Sequence, residues 1–186
     1  GSGTVKLDGE QVAAIYADLT TGSELDLTQA KALQENIGWS YFGLCLAGAF
    51  KVPATTAHAW LGSPNPHGKP NSDVLKPIYN GTDITRRWAG DWLIDFGTSL
   101  SEQEAAFYEA PFAYVTEHVK PVRASNREAI RANKWWRLGR PRPELRSKLS
   151  GVQRYIVTPE TAKYRVFVWL STSVSPEHRL VVIPCD

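Results

Sequence analysis

Apolar positions along the chain come in short runs, most of them closed by Gly, Pro or Asn, which is the pattern of brief strands and helices. Glu10 to Asp18 fits a short helix or a strand, its period being ambiguous. Asp26 is placed to cap a helix over about 27 to 36, closing near Asn36 and Gly38. Trp39 to Leu46 alternates and is rich in aromatics, so it reads as a strand, with Gly48 turning the chain. Pro53 starts a helix through Leu61, because its fixed φ suits a first helical turn. Residues 62–71 are a loop by composition, and Ser72 or Asp73 caps a short helix that Pro77 interrupts. Asn80-Gly81 signals a turn, and Trp92 to Phe96 a buried strand. Ser101-Glu-Gln-Glu104 is a capping box opening a helix that Pro111 breaks or kinks before a second stretch to Val119. Pro121 opens another helix to about Trp136, and Arg140-Pro-Arg-Pro143 is an irregular elbow. Tyr155 to Thr158, Arg165 to Leu170 and Leu180 to Ile183 read as three strands. The mixture predicts an α/β (mixed α+β) fold, with a mixed or antiparallel sheet and flanking helices.

The chain has 186 residues, 42% hydrophobic and 22% charged, which suits one soluble domain. No apolar run approaches the roughly 18 residues of a membrane span and no signal peptide is visible, so a cytoplasmic protein is expected. Cys45 and Cys185 are too few for a disulfide scaffold or a four-cysteine zinc site and are expected as reduced, structural thiols. Gly1-Ser2-Gly3 reads as a tag remnant, and methionine is absent. These features predict a piece of a larger protein whose domain runs from residue 4 to 186 and is truncated at its C-terminal end.

Charge changes the picture most. The net charge of +2 hides a division along the chain. Residues 1–117 carry 7 Lys/Arg against 14 Asp/Glu, whereas residues 118–154 carry 11 against only Glu128 and Glu144. Such a block is the compositional footprint of a polyanion-binding surface. On a helix, Arg123, Arg127, Arg131 and Lys134 fall at i, i+4, i+8 and i+11, one face. Trp135 and Trp136 are expected in the core rather than stacked on bases.

Catalytic chemistry is not visible. There is no GxGxxG, P-loop or GxSxG, and the four histidines are scattered. Asn65-Pro66-His67 lacks the second proline and the aromatic of the adenine-methyltransferase motif and reads as a turn. Asp83, Asp91 and Asp95 lack the clustering of a metal-dependent nuclease and are expected as caps and hydrogen-bond partners.

Several runs together resemble one family. They are Ser63 to Pro77, Asn80 to Thr85, Trp92 to Gly97, Tyr108 to Phe112, Val119 to Arg123, Trp135-Trp136, Arg140 to Pro143, Arg154 to Pro159 and Arg165 to Leu170. In that order they are similar to the target recognition domain of MmeI-like enzymes, single-chain restriction–modification proteins that join a nuclease, an S-adenosylmethionine-dependent DNA adenine methyltransferase and a recognition domain. The resemblance implies a module that reads double-stranded DNA beside the methyltransferase domain of its parent chain. It implies no cofactor in this piece, and S-adenosylmethionine, with Mg2+ where a nuclease is present, in the parent. Phosphate contacts supply most of the affinity of such a module, and base-edge contacts its choice of site. The candidate phosphate contacts are Arg123, Arg127, Arg131 and Lys134 on the helix and Arg137, Arg140, Arg142 and Arg146 at the elbow. Arg154, Lys163 and Arg165 follow as weaker ones. The competing expectation is an interaction or scaffolding domain whose basic face docks other domains of the parent.

Overall fold

The computed structural model describes residues 4–15, 21, 31, 33–124 and 132–185. The chain divides into two units, Gly1–Ile37 and Gly38–Asp186. In the first, β1 (Lys6–Leu7) and β2 (Glu10–Gln11) form an antiparallel hairpin. Its turn is Asp8-Gly9, both with positive φ (51° and 90°), as a tight two-residue hairpin needs. Gln34–Asn36 is a single 3-10 turn. Of the rest of the helix expected over 27–36, Lys31 and Leu33 are not helical, Leu33 being extended, and the other residues lie outside the described ones, as do the cap at Asp26 and the end of the 10–18 segment.

The second unit is α+β, as the alternation of short apolar runs predicts. Its elements are β3 (Tyr41–Phe42), β4 (Lys51–Pro53), α1 (Ala54–Leu61), β5 (Leu75–Tyr79), α2 (Gly81–Thr85) and β6 (Asp91–Ile94). They are followed by α3 (Glu102–Ala105), α4 (Glu109–His118), α5 (Lys120–Ala124), α6 (Pro143–Leu149), β7 (Arg154–Pro159), β8 (Val168–Ser171), β9 (Ser175–Pro176) and β10 (Leu180–Ile183). One sheet has the order β4-β6-β5-β9, with β5 and β9 parallel. The other has the order β3-β10-β7-β8 and is antiparallel throughout. Among the described residues no helix is long and apolar enough to cross a membrane.

Local chemistry accounts for most element ends. Pro53 is extended and hands β4 directly to α1, which stops at Gly62. Ser101 and Glu104 form the expected capping box, and Ser101's backbone N–H, with its hydroxyl, holds the Glu104 carboxyl below the ordinary carboxylate range. Asn80-Gly81 is not a free turn: Asn80 caps α2 reciprocally with Asp83. The interrupted helix expected after Ser72 is one 3-10 turn (Asn71–Asp73) followed by β5, which carries Pro77 in its middle. β9 reaches only Ile78 and Tyr79, so this strand has an open edge at Pro77, where a missing N–H costs no ladder bond.

Two core clusters match the two sheets. Phe50, Val52, Ile78, Leu93, Ile94, Phe96, Val115, Val119, Trp135 and Trp136 fill the first. The Trp pair is therefore core. Leu145, Tyr155, Val157, Leu170, Leu180 and Val182 fill the second, with Leu149 of α6 and Ile84 of α2 against it. The Tyr155 hydroxyl donates to the Val174 carbonyl at 2.7 Å, and burial pushes its pKa well up. The folded state therefore holds the neutral phenol. That stability is fully present below the unfolded value of about 10 and is lost as pH rises past it. Urea midpoints measured from pH 8 to pH 11 are expected to fall above about pH 10, and less steeply in Tyr155→Phe. Equal slopes in the two proteins would remove Tyr155 as the cause.

Candidate nucleic-acid interface

The basic block is split between the interior and the surface. Arg123, at the end of α5, is 2% exposed. Its Nη1 donates to the carbonyls of Trp135 (2.9 Å) and Arg137, and its Nη2 to those of Leu46 (3.1 Å) and Ala47 (3.0 Å). The guanidinium also lies 5.0 Å from the Phe50 ring centroid. The expectation that Arg123 faces phosphate is thus corrected. Buried carbonyls need donors, and the arginine fork supplies several at once. The chain around it is tightly laced: Cys45 and Arg140 exchange backbone hydrogen bonds, and the Gly139 N–H donates to Leu46. A Cβ at Gly139 would run into Ala47, so only glycine permits this approach.

Two more arginines of the block are also engaged. Arg137 Nη2 donates to the Leu100 carbonyl at 2.7 Å, with its guanidinium near the Trp136 ring. Arg146 pairs with Asp95 at 2.7 Å and donates from Nε to Pro141. Asp95 also accepts from the Gly97 N–H, Asp83 from those of Asn80 and Ala89, and Asp91 lies 3.6 Å from Lys51 Nζ. These carboxylates are hydrogen-bond and ion-pair partners. Among the described residues no group of three or more His, Cys, Asp or Glu is placed to hold a metal ion. Arg127 and Arg131 lie outside the described residues. Lys134 and Arg140 are exposed, and neither side chain has a partner among the described residues.

Of the remaining candidates, Arg154 stands on the outer face of the antiparallel sheet, and Arg142 and Arg165 contact residues of that face. The alternation along β7 turns Tyr155 and Val157 inward and Arg154 and Ile156 outward; Thr158 shares the outer side but is buried, with Arg165 on its hydroxyl. Register then fixes the cross-strand rows. Phe42, Val181 and Thr158 share one row; Ile183, Ile156 and Trp169 the next; Arg154 and Ser171 a third. None of these eight outward positions is acidic. The Arg154 guanidinium stacks 4.2 Å above the Trp169 ring, and that of Arg142 lies 5.8 Å from the Phe42 centroid while its Nε donates to Gly43. Arg142 holds a left-handed φ of 52°, which makes the elbow and starts α6. Arg165 Nη1 donates to Thr158 Oγ1 (3.4 Å) and to the Pro159 carbonyl. Lys163, in the same β7–β8 connection, lies over its neighbour Tyr164.

This face is exposed, aromatic and cationic. Trp169 and Phe42 are 44% and 47% exposed. Each ring limits the rotamers of the arginine above it, so less freedom is lost when that fork meets an anion. Charge counting along the sequence missed the rings. The signal that finds them is the parity of β7 and β8, which puts Arg154 and Trp169 on one side.

No protein-family model and no curated protein matches the sequence. The fold is similar to part of MmeI, a type IIL restriction–modification enzyme whose structure was solved in complex with DNA. The TM-score is 0.62 at 13% identity, over 95% of this chain and 23% of that one. The chain spans under a quarter of the length of that enzyme.

Proposed function

We propose that the chain is the double-stranded DNA target recognition module of an S-adenosylmethionine-dependent DNA adenine methyltransferase of the restriction–modification class. The observation that carries this reading is the acid-free outer face of the antiparallel sheet, where Arg142 and Arg154 are held over aromatic rings and Arg165 flanks them. Guanidiniums fixed in this way meet backbone phosphates and guanine edges with their donors already oriented. The likeness in fold to an enzyme solved with DNA supports the reading. In it, the parent's methyltransferase domain holds S-adenosylmethionine and does the chemistry, and any nuclease domain uses Mg2+. This chain contributes affinity and choice of site.

A second reading is favoured by the apolar share of the same face. Ile156, Val181 and Ile183 suit a protein partner, so the face would dock an acidic surface of the parent.

Salt dependence separates the two. Six of the candidate cations, Lys134, Arg140, Arg142, Arg154, Lys163 and Arg165, remain for phosphate contact. In fluorescence anisotropy on a random-sequence duplex these six alone are expected to make log K fall with log salt at a slope of about −5. A chain that binds no duplex even at about 20 mM salt, well below the physiological range, would move the reading to the docking domain.

A further inference from the structure

The acid-free sheet face leaves one cationic feature of the fold unused. A cleft of about 660 Å3 opens between α2 and the connection from β7 to β8. Three basic side chains line it, each from a different stretch of the chain: Arg86 after α2, Lys163 in the connection and Arg179 before β10. No carboxylate lines it. Among the described residues neither Arg86 nor Arg179 has a hydrogen-bond or ion-pair partner for its guanidinium, and both residues are exposed. Lys163 Nζ lies over the Tyr164 ring, 5.3 Å from its centroid. Two carboxylates stand beside the cleft without lining it: Asp83, buried in the cap of α2, where it accepts from Asn80 and Ala89, and Glu160, exposed between Pro159 and Thr161. Arg165 does not line the cleft; its Nη1 donates to Thr158 Oγ1 and the Pro159 carbonyl beside it.

Three positive charges against two neighbouring carboxylates leave the cleft with a net positive charge, and an anion bound within it relieves the repulsion among the cations. Two arginine forks with one lysine match the several oxygens of a phosphate better than the two of a carboxylate. Thr82 and Thr161 add hydroxyl donors to the lining, and Tyr164, 73% exposed, offers a ring face at its edge. We propose that this cleft is a phosphate-binding site. Its ligand is a phosphodiester of the DNA backbone, an assignment of source that rests on the DNA reading above. The same chemistry accommodates a free phosphoryl ligand. The site adds Arg86 and Arg179, which lie far in sequence from the basic block, to the cationic surface.

The test compares the unchanged chain with Arg86→Gln/Arg179→Gln. Both side chains are exposed and have no partner among the described residues, so the fold is expected to be retained, which circular dichroism and the thermal midpoint without ligand check. A Lys163→Gln single variant repeats the test from the other wall. Two probes are used. With random-sequence duplex, the double variant is expected to bind about tenfold more weakly and with a salt slope shallower by about 2. With inorganic pyrophosphate, the unchanged chain is expected to gain thermal stability and the double variant not to. Loss of the pyrophosphate effect with unaltered duplex binding keeps the phosphate site and overturns DNA as its source. Equal responses of both proteins to both probes overturn the site itself. Failure of the unchanged chain to bind any duplex overturns the DNA reading, while the pyrophosphate comparison still decides the cleft.

Discussion

Arg123→Ala is expected to cost the fold about 3–5 kcal/mol, the scale of removing one member of a buried charged hydrogen-bond set. The carbonyls of Trp135, Arg137 and Ala47 lose the donor that reaches them, while that of Leu46 keeps the Gly139 N–H. The Phe50 ring loses its cation as well. Arg123→Lys keeps the charge but not the fork. A single ammonium does not span Leu46–Ala47 on one side and Trp135–Arg137 on the other, so a loss of roughly 2 kcal/mol is expected even there. Urea unfolding followed by tryptophan fluorescence reads both variants, since Trp135 and Trp136 sit beside the clasp. A residue serving phosphate from the surface would leave the midpoint where it is. An unmoved midpoint in Arg123→Ala therefore sinks the clasp and returns Arg123 to the surface. For the same reason, charge reversal at Arg123 would read folding rather than DNA contact.

Arg142→Glu/Arg154→Glu is the corresponding test of the surface. Duplex binding is expected to weaken at least about 100-fold, with the salt slope shallower by about 2, because two phosphate contacts are lost and two repulsions gained. Stability is expected to change by under about 1 kcal/mol, as for surface sites without a buried network. Trp169→Ala separates orientation from charge. It leaves every cation in place but removes the ring beneath Arg154, so affinity should fall a few-fold with the salt slope retained. Duplex binding by the double variant at full strength would place the DNA surface elsewhere on the chain.

The mixed α+β class was legible because short apolar runs, two prolines at helix starts and one capping box encode it locally. Strands at Trp92, Tyr155 and Leu180 stand out for the same reason. β5 was not legible: Pro77 in its middle signals a break, and only the short reach of β9 makes it tolerable. α6 was hidden in the Arg140-Pro-Arg-Pro143 elbow, where a left-handed Arg142 and Pro143 at the first turn start a helix. The basic block was legible as composition but not as roles. Helical spacing places Arg123 with the other cations, and nothing local reveals that two distant carbonyl pairs surround it. The outer sheet face needed the pairing of β7 with β8 and β10, and the cleft needed residues 86, 163 and 179 brought together. Both are long-range facts that sequence spacing does not carry.

The two sheets are stitched by the last stretch of chain. β9 lies on the edge of the sheet built from β4, β6 and β5, and β10, three residues later, runs through the middle of the other. At Gly43, where a Cβ would run into the Glu177 carbonyl, the first strand of the second sheet closes on this same stretch. Neither sheet is therefore a transplantable piece. Exchange of the module between host proteins has to move residues 41–183 as one cassette, with its seams outside those limits. Within the cassette, Arg154, Ile156, Trp169 and Ser171 on the outer side of β7 and β8 are open to variation, because changing them disturbs neither closure.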